Sequence, residues 1–542
     1  GIDISGRLQA AELARIYAPL QSLDGAADWR GKLKLTLAEQ GKLDYRFQAD
    51  SALQGLTSRL PSPLNKTGQQ SWPSHLEVTG DGQQARIELT LGEQIRGLAG
   101  VGFGPNGAHV QRLWLSAGAG AQPTLPRAPL DIAVRVPDLP LDDWLVLLKD
   151  VQPASSRSNA SVPSGTSSRI TWPTPYRVSV QASRARLWQY PLNQLRLTVG
   201  PSKGPRQQLR VTAEQADGTL SWGDNQPVQA QFKRLWLTPN SSEPGAVSAV
   251  KSAAVPDGIN PGLLPAVQFR CDDCRWQQLA LGKVAFELLP QPEQNGVQLT
   301  DLSLDGPLLQ ARANGQWLQH QSGNLSRLEW QSSTPSLQRL WQAVGKESPF
   351  SETPARLEGQ LRWLDVPWRP ELASLNGRLG ADTDAGVLRE VNDKGAGLLS
   401  VLSMESILRR LRLDFRDVFA QGFYFDRISA SGELQNGVLQ NDDLALDGAA
   451  GNLRGSGRVD LGAEQLDYRL EFTPNLTGNL PVLAAFAVTP VTGLYVLALS
   501  KVLGPVVEVF TRIRYQIDGP LDQPRVTELG REQKRVTIPG NE

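Results

Sequence analysis

Neither sign of charge is in surplus: Lys+Arg 55 and Asp+Glu 55 cancel. Nothing in that balance favours nucleic acid as a partner, and no block of like charges marks an acidic or basic tail. Histidine is scarce, with three in 542 residues. His75, His109 and His320 stand in unrelated contexts, so no Ser-His-Asp arrangement and no zinc cluster of about four ligands is indicated. Methionine occurs once and cysteine twice, as Cys271-Asp272-Asp273-Cys274. A thioredoxin-type motif should open a helix, whereas the RWQQLALGKVAFEL that follows reads as strand. A local disulfide between Cys271 and Cys274 in an oxidising compartment is the favoured reading, with simple surface thiols as the alternative. So short a loop stabilises little. No signal peptide opens the chain: Gly1-Ile2-Asp3-Ile4 reads like the middle of a strand, as expected for a fragment. No nucleotide-binding loop is present either, and no metal or cofactor is expected.

Turn residues and alternation are abundant. Gly 51 and Pro 38 accompany a hydrophobic content of 40%, enough for a core. Leu43, Tyr45, Phe47 and Ala49 alternate with Asp44, Arg46, Gln48 and Asp50. Leu466, Tyr468, Leu470 and Phe472 alternate with Gln465, Asp467, Arg469 and Glu471. Ile87/Leu89/Leu91, Leu209/Val211/Ala213 and Ile513/Tyr515/Ile517 repeat the pattern. One wet and one dry face predict antiparallel sheet. For the Leu466–Phe472 set, an ordinary sandwich core accounts for the pattern by itself.

One phrase occurs twice. Leu302-x-Leu304-Asp305-Gly306 returns as Leu444-x-Leu446-Asp447-Gly448, each followed at matched offsets by an arginine (Arg312, Arg454) and a glycine (Gly315, Gly457). Leu-x-Leu places two side chains on one face, and Asp-Gly supplies a hairpin turn. A second layout recurs at Leu192–Leu197, Leu281–Phe286 and Phe425–Ala430, after Trp188, Trp276 and Tyr424. Repeated hairpins predict a fold that grows by copies of one unit, with function on an extended surface. Tryptophans such as Trp188, Trp276, Trp317 and Trp363 read as core.

Helices punctuate the strands. Leu13, Ile16, Tyr17 and Leu20 have helical spacing, as do Leu141, Trp144, Leu145 and Leu148, and Leu337, Leu340, Trp341 and Val344. The last set has Thr334 as expected N-cap, Pro335 at N1 and Gly345 as stop. Residues 395–411 are a further helix candidate. PASSRSNASVPSGTSS (153–168) and residues 239–262 read as flexible linkers, and the tail after Pro524 as poorly ordered. Between Glu471 and Lys501 no charged residue occurs. Pro481, Pro490 and Pro505 cut this stretch into pieces too short to span a bilayer. It is either a helical plug or a hairpin meeting a membrane or partner, through Val482, Leu483, Phe486, Val491, Leu494, Tyr495, Leu497 and Leu499. The acid pairs Asp142-Asp143 and Asp442-Asp443 are poor catalytic pairs, because neighbours on a strand point to opposite faces.

LEGQLRW (357–363), the long run 375–461, GLTSRLPSPLNK (55–66) and Leu141-Asp142-Asp143-Trp144 resemble the YhdP family, AsmA-like proteins of Gram-negative envelopes. The most specific part is LRLDFRDVFAQGFYFDRI (411–428). That family is similar to the repeating-β-groove, bridge-like lipid transporters that include TamB. The resemblance implies a mainly β protein: an elongated, curled antiparallel sheet forming a taco-like groove, with short capping helices and a C-terminal apolar helical segment.

The expected modules are a groove module at 1–152 with helices near 8–20 and 140–150, a linker at 153–168, and repeats at 169–238 and 263–334 around a loop at 239–262. A C-terminal AsmA-like groove at 335–472 follows, with helices near 335–345 and 395–411. An apolar helical segment at 473–511 and a final strand and tail at 512–542 complete the chain.

By the resemblance, the chain is a piece of a periplasm-spanning protein, not an enzyme. It would carry phospholipid from the inner membrane, where an N-terminal anchor outside this chain holds it, toward the outer membrane or a partner there. Leu43, Tyr45, Phe47, Ile87, Leu89, Leu209, Val211, Leu302, Leu304, Leu444, Leu446, Leu466, Tyr468, Leu470 and Phe472 would line the groove. Exposing on the order of 30 methylenes at ~0.8 kcal/mol each costs roughly 25 kcal/mol, so a continuous apolar trough is what such transfer needs. A passive envelope scaffold or adhesin with a filled core, and a carbohydrate-active solenoid enzyme, are the rival readings.

Overall fold

Strands that alternate wet and dry need hydrogen-bonded neighbours, and here the next strand in sequence usually supplies them. The computed structural model describes residues 1–16, 21–37, 43–104, 107–118, 129–150, 176–188, 190–201, 206–224, 226–238, 260–321, 323–388, 423–449, 451–475, 506–521 and 524–537. The 153–168 linker, the helix expected at 395–411 and all eight apolar residues from Val482 to Leu499 lie outside the described residues. Two compact units, Gly1–Val255 and Pro256–Glu542, divide the chain.

In the first unit the ladder runs from Ile2–Gln9 through Leu23–Leu37 and Leu43–Ser51 to Gln226–Leu237. Each strand pairs with the next, except the short Leu56–Ser58, which pairs with the start of Leu23–Leu37. Its first and last strands do not pair with each other, so the sheet stays open among the described residues. An all-antiparallel sheet was the expectation, and two pairings depart from it. Leu130–Pro140 is parallel to both Gly107–Ala117 and Tyr176–Leu187. Parallel neighbours need a crossover of about a dozen residues or more, and the long connections 118–129 and 141–175 fall at these two joints. Helix Leu141–Asp150 begins the second crossover. Its Leu141 and Trp144 pack on Val136, Leu139, Ala182 and Leu195, and the Trp144 indole N–H donates to the Ser62 carbonyl at 3.0 Å. The N-terminal helix is short, Ala10–Ile16.

In the second unit the ladder runs from Val267–Trp276 to Arg525–Thr537, and every pairing is antiparallel. The duplicated phrase is a structural repeat. In both copies the strand slips register just before Leu-x-Leu, between Leu299 and Leu302 and between Asn441 and Leu444. A β-bulge there strengthens the local twist. Asp442 and Asp443 therefore lie in a bulge rather than on regular strand. Asp443 accepts from the Ser431 N–H at 2.8 Å and hydroxyl at 2.6 Å, which anchors the bulge and holds its carboxyl below the usual range.

Cys271 and Cys274 are bonded to each other and buried within strand Val267–Trp276. They staple a bulge where Cys271 faces Val284 and Cys274 faces Gly282.

Three expectations need correction. Helix Leu337–Ala343 is capped by Ser336, whose hydroxyl accepts from the Arg339 N–H at 3.2 Å. Thr334 instead closes the preceding strand and bonds to Ser336, because Pro335 delays helix entry. Strand Val506–Pro520 begins inside the 473–511 segment expected to be helical. β-branched residues and alternation at its start favour strand over helix. The tail after Pro524 is an edge strand, Arg525–Thr537. Its Arg525, Glu528, Arg531 and Glu532 give it the charged character that keeps edges from pairing further.

Trp330 lies across Gly359 on the neighbouring strand: a Cβ at Gly359 would meet three Trp330 ring atoms at 2.5 to 2.9 Å. Gly100 has open space where a Cβ would stand. Gly359→Val should therefore lower unfolding free energy by about 1–3 kcal/mol, while Gly100→Ala should stay within about 0.5 kcal/mol. Denaturant titration of both variants checks this; equal effects would contradict the packing.

Candidate functional site: an apolar face along each sheet

Cross-strand partners point to the same side of a sheet, so the register places residues in rows. In the first unit one row reads Gly31, Ala49, Leu76, Leu89, Gly97, Leu115, Ile132, Val178, Val199, Leu209, Leu220 and Ala230. In the second unit a row reads Val267, Leu288, Leu299, Gly315, Leu328, Leu361, Gly377, Leu434, Leu439, Val459, Leu466 and Gly519. Every member is apolar or glycine. The opposite face reads Glu329, Gln360, Arg378, Glu433, Gln440, Arg458, Asp467, Asp518 and Arg525. At about 4.8 Å per strand, each apolar row follows its sheet for roughly 50 Å.

Burial separates these rows from a sandwich core. Apart from Gly97 and Ala230, every residue of the first row is half-buried, and so is every residue of the second apart from Leu434 and Leu466. A packed second layer would bury such side chains almost completely. Among the described residues, the second sheet is the two-stranded pair Gly386–Leu388 and Phe423–Phe425, whose Leu388 and Phe425 pack on one end of the second unit's apolar face, with Leu446, Leu466 and Leu470.

In the second unit this face deepens into a cavity of about 500 Å³. Trp330, Leu379, Leu439, Leu444, Leu470 and Ile517 are among its walls. The buried Leu446, Leu453, Phe472 and Ile513 form core beside it, and Leu446 and Leu453 reach its wall. Charged clefts open elsewhere. One of about 1300 Å³ is walled by Arg270, Lys283, Arg312, Asp382 and Arg427 among others, and one of about 880 Å³ by Lys34, Arg46, Arg86 and Arg112 among others. Such walls suit water and ions rather than hydrocarbon.

A hydrogen-bonded polar pair interrupts the largely apolar wall, which Glu358 and Ser431 also border. The Tyr468 hydroxyl donates to Asn441 Oδ1 at 2.9 Å, and both residues border the cavity. Burial, then the nearby Asp443 and Asp442 charges, push the Tyr468 hydroxyl up to about 12. It therefore remains a donor throughout the neutral range.

The expected groove residues all fall on this face, with different exposures. Phe47 and Ile87 share a row with Leu33 and Val78, Tyr45 sits opposite Leu35, and Leu89 and Leu209 belong to the first row above. Val211 aligns with Leu197, Leu302 with Ala313 and Trp330, and Leu304 with Ala311. Leu444, Leu446, Leu466, Tyr468 and Leu470 are brought together around the cavity. Leu446, Leu466, Leu470 and Phe472 are buried core, and Leu43 is 48% exposed beside Leu37. The tryptophans divide: Trp317 and Trp363 are core, while Trp188 and Trp276 are about two-fifths exposed, at 42% and 41%. Residues missed from sequence include Leu328, Leu361, Leu379 and Leu439. Leu361 lies in the alternating LEGQLRWL, whose period of two was the available signal. Among the described residues no metal-ligand cluster is present, and no helix is long and apolar enough to cross a membrane.

The Tyr468 geometry has a pH consequence. Its folded pKa is raised above the ordinary 10.0, so its contribution to stability is complete below pH 10 and lost as pH rises through about 12. Tyr468→Phe should flatten the fall in stability over that window relative to the parent chain. Chemical denaturation from pH 9 to 12 checks this; parallel curves would contradict it.

Residues 1–526 match the YhdP protein family, in agreement with the resemblance carried by the 411–428 phrase. Over 98% of its length the chain is 28% identical to the intermembrane phospholipid transporter YhdP of Escherichia coli K12, and it spans 41% of that protein. No solved structure matches. With nearly its whole length matched and a mainly β, open-sheet architecture in each unit, the chain belongs to the YhdP family.

Proposed function

We propose that this chain is a segment of a bridge-like phospholipid conduit of the envelope, in which acyl chains lie along the apolar rows. The single observation that supports this most is the half-buried state of rows that a filled core would cover. Kinship to a protein that transports phospholipid between membranes supports the choice of ligand. On this reading the full protein runs through the periplasm. An anchor beyond this chain sits in the inner membrane, and the C-terminal end, including Val482–Leu499, meets the outer membrane or a partner. No reaction is assigned: shielding, not bond-making, is the work. Covering on the order of 30 methylenes at ~0.8 kcal/mol each offsets most of the roughly 25 kcal/mol that bars a lipid from crossing water. A scaffold with a filled core is the second reading, favoured locally by the buried Leu453, Phe472 and Ile513.

Lipid extraction and mass spectrometry of the purified chain test the proposal. Phospholipid should co-purify, and Leu209→Asp with Leu439→Asp, both at half-buried row positions, should reduce it severalfold with circular dichroism unchanged. Thr219→Asp, on the opposite face, should leave it intact. A folded, lipid-free parent chain, or equal loss in all variants, would overturn the conduit.

A further inference from the structure

The polar pair in the cavity wall has a defined hydrogen-bonding polarity. Asn441, 5% exposed, donates both amide hydrogens, to the Ser431 carbonyl at 2.6 Å and to Asp443 Oδ1 at 2.7 Å. Both partners are acceptors, so the amide nitrogen must face them and Oδ1 must face Tyr468. Tyr468 then spends its single hydrogen on that oxygen. The Ser431 hydroxyl is spent on Asp443 in turn. What remains at this point of a largely apolar wall, which Glu358 and Ser431 also border, is lone pairs alone, on the Tyr468 and Asn441 oxygens.

A passing acyl chain leaves those lone pairs without a partner, and another acceptor, such as a phosphate or ester oxygen, is repelled by them. Only a donor completes the site. Asp442 and Asp443, exposed and next to Asn441 in the chain, add negative potential that favours a positively charged donor over a neutral one.

We propose that Tyr468 and Asn441 form a headgroup-reading point within the groove, selecting amphiphiles that carry an ammonium or hydroxyl donor over those that carry none. This rests on the conduit reading and adds to it a criterion of selection. The phenol is the exposed half of the pair and presents the acceptor, while Asn441 behind it fixes the direction of the phenol hydrogen.

Lipid uptake from vesicles containing equal parts of dioleoyl phosphatidylethanolamine and dioleoyl phosphatidylcholine tests the assignment. The acyl chains are identical, and only the first headgroup has donors. After equilibration and re-purification, mass spectrometry should find phosphatidylethanolamine enriched on the parent chain by about twofold to tenfold, the range of one net hydrogen bond. Tyr468→Phe, which keeps the ring and its packing, should bring the ratio toward one. Equal uptake of both lipids by the parent chain, or an unchanged preference in Tyr468→Phe, overturns the headgroup reading alone. Uptake of neither lipid defeats the conduit itself, and this inference with it.

Discussion

Register across strands is the constraint on which the rest depends. A strand alternates its side chains with period two, so a slip of one residue would turn an entire strand's apolar set to the polar face. In each unit the apolar row holds from strand to strand through tight turns, such as Asn436-Gly437 with both φ values positive. It also holds through bulges that take up extra residues. At Leu299–Leu302, Asn441–Leu444 and Cys271–Cys274 the chain slips and then recovers its facing. Side chains anchor each slip: Asn314 Oδ1 takes the Asp301 N–H in the first, Asp443 takes the Ser431 N–H in the second, and the disulfide closes the third.

An apolar face held open costs stability that a covered face would supply. The second unit limits that cost by packing one end of its face fully, around Leu446, Phe472, Ile513 and Ile517, while leaving the middle as a cavity. The polar side contributes through ion pairs such as Arg458–Asp467 at 3.7 Å and Arg525–Asp518 at 3.0 Å. These are solvent-exposed and each is worth only about 0–1 kcal/mol. Backbone pairing and the buried end therefore hold the sheet, and among the described residues most of each row stays half-buried.

How much of this was legible depended on the kind of signal. Alternation in DYRFQAD and QLDYRLEF identified strands and the inward side of Phe47, Tyr468 and Leu470, because period two is a local property. The repeat at Leu302 and Leu444 identified hairpins, but its bulges were invisible, since a bulge is defined by the partner strand. The parallel joints at Leu130–Pro140 were hidden for the same reason. Alternation also could not separate groove from core: Leu89 and Leu466 read alike, yet one is half-buried and the other 4% exposed. That difference belongs to layers, which no single strand encodes. Nor did the sequence single out Asn441, whose role arises from Tyr468 two strands away.

The most direct test uses neighbouring residues on opposite faces. Photo-crosslinking side chains placed singly at Leu209 and Arg210, and at Leu361 and Arg362, should be compared in the envelope of living cells. The account predicts phospholipid adducts at 209 and 361 and none above background at 210 and 362. Equal labelling of both faces, or labelling confined to the polar face, would contradict a conduit built on the apolar rows.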